Sequence, residues 1–169
     1  FLPLISFFFC LIFSKVLPQR TIAIISSLII CISALFSFFL LKQIFITNDV
    51  YNVNLFKWIA SGNLLTYWTL SIDFLSAIMI FIVNFVSALI QIYSIDYMKN
   101  DKSVAKFFCY MSLFTFFMLF LVSSGNLIQL YFGWEGVGFC SYLLIGFWYQ
   151  KISTRNAAIK AFIVNRVGD

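Results

Sequence analysis

The sequence has no histidine and few charges: only 10% of its 169 residues are Asp, Glu, Lys or Arg. Without histidine, a histidine-ligated metal site or a haem with a histidine axial ligand is excluded within this chain. A soluble domain carries about 25% charged residues. A chain with so few charges and 63% hydrophobic residues is an integral membrane protein. The four cysteines, Cys10, Cys31, Cys109 and Cys140, lie inside apolar segments and have no metal-motif spacing. They read as small buried hydrophobes. No basic flank precedes the first apolar run and no A-x-A-like site follows it, so no cleavable signal is evident. Cofactor motifs and nucleophile–base pairs are missing too, which argues against a stand-alone enzyme. The net charge of +5 does not point to nucleic acid, because the charges sit between apolar runs and form no continuous basic face.

Long apolar segments and aromatics dominate. There are 23 Phe residues, and Ile, Asn, Lys and Tyr are plentiful. Their codons are AT-rich, which suggests a genome such as an organelle's. Five long apolar runs rule out the alternation of a β-barrel. The expected fold is an all-α integral membrane protein of about five transmembrane helices plus the start of a sixth, in a single membrane domain over 1–169. The runs are Leu2 to Phe13, Thr21 to Leu41, Ser71 to about Ile95, Phe107 to Val122, and Leu127 to Tyr149. A sixth helix begins near Ala157.

Residues 42–70 are polar. They contain Asn48, Asp49, Asn52 and Asn54 among Tyr51, Phe56, Trp58, Tyr67 and Trp68. The alternation in DVYNVNLFKWI suits a short strand and Ser61-Gly62-Asn63 suits a turn, consistent with a small hairpin on the membrane surface. The Trp and Tyr residues fit an interfacial belt. Asp73 stands where the dipole of the third helix favours an anion. Asn84, Ser87 and Gln91 recur at helical spacing, a pattern more typical of a helix–helix hydrogen-bonding face than of a conduction path.

Charge sets the orientation. Alternate loops carry Lys15, Arg20, Lys99, Lys102, Lys106, Lys151, Arg155 and Lys160; the opposite side has only Lys42 and Lys57. By the positive-inside rule the N-terminus and the polar loop face the outer, positive side.

Glu135 is the exception in its apolar run. A charge near the middle of a membrane helix costs about 2.5–3.5 kcal/mol on insertion scales, so it is a functional candidate by default. Gly133, Gly136 and Gly138 flank it and allow a helix or a water chain to come close. Burial disfavours an ionised carboxylate and a nearby cation favours it, so a group poised between the two can exchange protons. On the sixth helix Arg166 and Asp169 stand three apart and can pair. Lys160 lies near the basic-side interface and can snorkel there. The 13 residues from Ala157 to Asp169 reach about 20 Å as a helix, short of a core of about 30 Å. The sequence therefore reads as a piece of something longer, or one completed by another chain. Its first residue is Phe, not Met, which points to a trimmed or unusual start.

The segments YSIDYM, FFCYMSLFTFFMLFLVSSGNLIQLYFGWEGVGFCSYLLIGFW and AAIKAFIVNRVGD resemble the subunit 5 family of mitochondrial NADH:ubiquinone oxidoreductase, respiratory complex I. The same region is similar in Mrp-type cation/proton antiporter subunits. The core of the resemblance is 93–169. GWEGVG followed by CSYLL and then by NRVGD is its most specific part.

The resemblance implies the N-terminal part of an antiporter-like subunit in the distal membrane arm, active in proton translocation and holding no redox cofactor. FMN, iron–sulfur clusters and ubiquinone are implied elsewhere in the complex. The implied place is the mitochondrial inner membrane, as a multi-pass chain with its N-terminus on the intermembrane-space side. Implied partners are the remainder of subunit 5 as a separate chain, the neighbouring antiporter-like subunit 4, other complex I subunits and membrane lipid. Glu135 matches the family's key glutamate, which pairs with a lysine on a later helix outside this chain. Arg166 and Asp169 match the NRVGD motif and are an expected ion pair near the path. Gln91 stands where many relatives carry His, so no histidine step is expected at that position. Two alternatives remain at this point: an Mrp-type antiporter subunit, and a structural scaffold of the distal arm.

Overall fold

The computed structural model describes residues 1–47, 49–61, 64–101 and 103–168. Asn48, Gly62, Asn63, Lys102 and Asp169 lie outside the described residues. So do the tip of the expected Ser-Gly-Asn turn and the expected partner of Arg166.

Among the described residues, six helices and one hairpin follow in order: α1 (Leu2–Phe13), α2 (Gln19–Thr47), β1 (Tyr51–Ser61), β2 (Leu64–Ile72), α3 (Phe74–Tyr97), α4 (Val104–Val122), α5 (Leu127–Ile145) and α6 (Ile152–Gly168). By length and composition α2, α3 and α4 can each cross a membrane. α1 is apolar but has 12 residues, about 18 Å. α5 has 19 residues, about 28 Å. Gln129, Glu135 and its glycines make it less apolar than α4.

Helix ends differ from the sequence reading where polar residues continue a helix. α2 runs on to Thr47 through Lys42 and Gln43, and the Thr47 hydroxyl donates back to the Gln43 carbonyl (3.1 Å). α6 starts at Ile152, five residues before Ala157. The Thr154 hydroxyl donates to the Trp148 and Lys151 carbonyls (2.7 and 2.8 Å), which satisfies carbonyls at the turn into the helix. α5 stops at Ile145, four residues before Tyr149, with Gly146 at its C-cap. Asp73 caps α3 by accepting from the Ser76 amide (2.7 Å). Hydrogen bonds from the Ser76 hydroxyl and amide hold its carboxyl below the ordinary aspartate range.

Helices α1 to α4 form a bundle, α5 packs on α4, and α6 packs on α5. The apolar core at the basic end holds Cys10, Ile22, Met98, Phe108 and Cys109. Cys140 is also buried, while Cys31 is half-buried. Further in, the bundle is polar. Ser6, Ser26 and Ser112 share hydrogen bonds of 2.8, 2.9 and 3.3 Å across three helices. Gln91 donates to Ser112 (3.4 Å), Thr115 to Ser87 (3.1 Å) and Ser33 to Asn84 (2.8 Å). The Asn84–Ser87–Gln91 stripe therefore bonds outward to α2 and α4, as a helix-packing face does. Lipid offers no replacement partners, so such contacts fix which helices meet. Ser112 is the hub. Ser112→Ala is expected to cost about 1 kcal/mol. Unchanged thermal stability of the assembled protein would remove the hub role.

β1 and β2 pair antiparallel from Tyr51↔Ile72 to Ser61↔Leu64, with irregularities at Asn54/Phe56 and Lys57/Ile59. The hairpin is pinned to the turn between α4 and α5. The Ser71 amide donates to the Ser123 carbonyl (3.0 Å), and Leu70 bridges Ser124. The Thr69 amide donates to Gln129 Oε1 (3.0 Å), and Asn126 Nδ2 to the Tyr67 carbonyl (2.8 Å). Trp68 packs against Phe120 and Phe132 with ring centroids 4.9 and 5.9 Å away, and Trp58 packs edge-on to Trp68. A Cβ on Gly125 would collide with Thr69, so the turn is open to the strand because that residue is glycine.

Candidate functional site

α5 begins with Asn126, whose side chain accepts from the Gln129 amide (2.8 Å) in the usual N-cap manner. Two and a half turns later the helix presents Glu135, with Tyr131 one turn earlier on the same face. The Tyr131 hydroxyl donates to Glu135 Oε1 (2.7 Å).

The other donor comes from α6. That helix lies antiparallel on α5 through residues four apart. Ala158 meets Gly146, Phe162 meets Tyr142 (ring centroids 5.5 Å) and Arg166 reaches Glu135. Gly138 faces the Asn165 amide nitrogen, which a Cβ there would approach to 3.1 Å. The Arg166 guanidinium forms a salt bridge and hydrogen bond to Glu135 Oε1 and sits 5.1 Å from the Phe162 ring centroid. Its cation therefore has a carboxylate on one side and an aromatic face on the other. The Glu135 side chain is 18% exposed and that of Arg166 48%.

The other side of α5 packs against α4 through glycine. A Cβ on Gly133 would stand 2.9 Å from Leu121 Cα and Cβ, and one on Gly136 would overlap the Phe117 ring. The glycines thus admit the neighbouring helix.

The structure brings Glu135 and Arg166 into contact, a pairing that local sequence spacing does not predict. Arg166 is held by Glu135, 31 residues away; Asp169, the partner read from local spacing, is outside the described residues. Tyr131 was missed, although the i, i+4 spacing to Glu135 could have found it. Lys160 is exposed, beside Asn156, Ile159, Ile163 and Val164, two residues from Ala158 and so turned away from α5.

Chemically the site is a carboxylate oxygen shared by a phenol and a guanidinium. A cation arriving from outside the chain would compete with Arg166 for that oxygen. A proton on it would weaken both bonds.

Residues 58–108 match the family described as NADH-ubiquinone oxidoreductase (complex I), chain 5 N-terminus. Residues 124–169 match NADH:quinone oxidoreductase/Mrp antiporter, TM. Subunit L of the NADH-quinone oxidoreductase of Rickettsia felis is 47% identical over 168 residues, covering 99% of this chain and 26% of that protein. Chain 5 of the NADH-ubiquinone oxidoreductase of Acanthamoeba castellanii is 44% identical over 167 residues, covering 99% of this chain and 25% of that one. The similarity extends well before residue 93, where the motif-level resemblance starts. A chain of the membrane-bound sulfane sulfur reductase, an archaeal respiratory membrane complex, has the same fold. Its TM-score is 0.85 over 99% of this chain and 33% of that chain, at 18% identity. The chain spans about a quarter of the length of the curated relatives it matches.

Proposed function

Because the chain belongs to the antiporter-like membrane-subunit family of NADH:quinone oxidoreductase chain 5 and subunit L, we propose that it forms part of the proton-translocating membrane arm of such an oxidoreductase. Glu135 is the ionisable centre of this part. The observation that carries the reading is the Glu135–Arg166 bridge between two helices otherwise joined by small and aromatic residues. In this arrangement Arg166 is the cationic partner of Glu135. A lysine brought close by the rest of the subunit draws the carboxylate away from Arg166 and favours its own charged form. When Arg166 returns to Glu135, that lysine loses its counter-charge and gives up a proton. By sequence spacing alone, Asp169, three residues past Arg166, is a second candidate acid for that guanidinium. Hydride and electron chemistry, with FMN, iron–sulfur clusters and ubiquinone, belongs to other subunits.

The same reading assigns the chain to the mitochondrial inner membrane, beside the antiporter-like subunit 4 and the rest of subunit 5. Its N-terminus lies on the intermembrane-space side. The loop charges support that orientation, and the hairpin lies on the side with few cations.

Arg166 tests the bridge. In the assembled complex in sealed vesicles, Arg166→Gln is expected to slow NADH oxidation coupled to proton uptake about tenfold, the weight of one charge-assisted hydrogen bond. Arg166→Lys should recover part of it. Full proton yield in the Gln variant would detach Arg166 from the path. A second reading, exchange of a cation for protons without NADH oxidation, is favoured by the Mrp antiporter match over residues 124–169. Sodium-dependent proton movement in vesicles lacking NADH would support it.

A further inference from the structure

A cavity of about 600 Å³ opens where the start of α4, the end of α5 and the first turn of α6 converge, away from Glu135. Its size is that of a ligand pocket, and its wall is divided. Lys106 and Arg155 supply two cations, and the Tyr110 and Tyr142 side chains line it with them. Phe147 and Ala158 are apolar parts of the same lining. Neither Lys106 nor Arg155 makes an ion pair among the described residues. The one carboxylate of the lining, Asp101, accepts from the Ser103 amide (2.8 Å) and from Trp148 Nε1 (3.0 Å), both residues of the same wall. It thereby fixes the indole, and Lys151 stands 5.8 Å from the centroid of the Trp148 ring.

The location selects the ligand. Lys106 and Arg155 belong to the loop set that carries eight of ten loop cations, so the cavity lies at the basic-side membrane interface. Trp148 and Tyr149 beside it are residues of the headgroup level. Both cations are exposed, so their charges are open to a headgroup at that level. An anionic lipid supplies both the missing charge and an apolar tail.

We propose that this cavity binds the phosphate headgroup of an anionic phospholipid, with Lys106 and Arg155 as its charge partners and the phenols of Tyr110 and Tyr142 as hydrogen-bond donors. The apolar wall of Phe147, Trp148 and Ala158 receives the start of the acyl chains. The site is independent of the proton path, and its occupancy ties α4, α5 and α6 together at one end.

The test uses the membrane complex purified through this chain, stripped of lipid by detergent exchange. Phosphatidylglycerol, phosphatidylcholine or inorganic phosphate is then added back, with bound lipid counted by native mass spectrometry and the thermal midpoint recorded. Phosphatidylglycerol is expected to bind and raise the midpoint. The double variant Lys106→Gln/Arg155→Gln should weaken that binding about thirtyfold, from two interfacial charges. The charge-preserving pair Lys106→Arg/Arg155→Lys should retain it, which separates lost charge from lost folding. Equal phosphatidylglycerol binding in the wild-type and Gln variants would overturn the proposal. So would loss of binding in the charge-preserving pair, equal binding of phosphatidylcholine, or a full midpoint shift with inorganic phosphate alone.

Discussion

Replacing Glu135 with Gln is expected to leave the complex assembled and to lower proton-coupled NADH oxidation about a hundredfold, the lower end of what a positioned proton-exchanging group is worth. The substitution is nearly isosteric. The Gln carbonyl can still accept from Tyr131 and Arg166, the two donors that Glu135 Oε1 now serves, so the α5–α6 contact survives as neutral-acceptor bonds. What disappears is the negative charge, and with it the pull on any cation that approaches. Glu135→Asp keeps the charge but withdraws it by one methylene from Arg166, so an intermediate rate is expected. The measurement is NADH oxidation and vesicle acidification on the same preparation, after native electrophoresis has shown equal assembly. A Gln variant that assembles normally and pumps with full yield would leave the chain with a scaffolding role, since the fold would then need the carboxylate only as a hydrogen-bond acceptor.

The second large effect is steric. Gly133→Ala is expected to destabilise the α4–α5 contact by about 1–3 kcal/mol or more, the range for forced overpacking. The new methyl would stand 2.9 Å from Leu121 Cα and 3.0 Å from its backbone nitrogen. Backbone cannot rotate away as a side-chain end can, so α4 must move as a helix. That movement disturbs Phe120 and Phe117, on which Trp68 and Phe132 rest. Gly138→Ala is the internal comparison: it meets only the end of the Asn165 side chain, at 3.1 Å, and a small rotation relieves it. Thermal midpoints and assembled yield should rank wild type, Gly138→Ala and Gly133→Ala in falling order. The reverse order would mean that α5 is located by α6 and not by α4.

Composition and apolar runs made the membrane class and the order of helices legible, because lipid demands long uninterrupted stretches. The hairpin was visible as alternation in 49–59. Its docking was not, since Thr69–Gln129 and Tyr67–Asn126 join residues about sixty positions apart through groups that look like ordinary polar loop residues. Helix ends were misjudged at Lys42 and at Ile152 for one shared reason: charged and hydroxyl residues beyond the apolar stretch can continue a helix where no hydrophobic pattern marks them. Glu135 stood out by its cost in an apolar run. Its partner did not, because helical spacing favours Arg166 with Asp169, whereas the contact with Glu135 is set by the way Ala158 and Phe162 seat α6 on α5. The glycines were read as permitting close approach, and the geometry adds which neighbour each admits: α4 at Gly133 and Gly136, α6 at Gly138 and Gly146.

The pinned hairpin has a consequence for how the chain is made. Strand β2 makes its docking hydrogen bonds, those beyond its pairing with β1, with residues 123–129, about sixty positions later in synthesis. At about 5–20 residues per second, the ribosome delivers that turn about 3 to 12 s after the strand. During this interval β2 has left the ribosome while its dock does not yet exist, and Trp58 and Trp68 are uncovered at the bilayer surface. Docking then waits for α3 and α4 to be inserted and for the α4–α5 turn to return to the hairpin's side. Only a chain whose third and fourth spans have both crossed can therefore close the hairpin onto its dock.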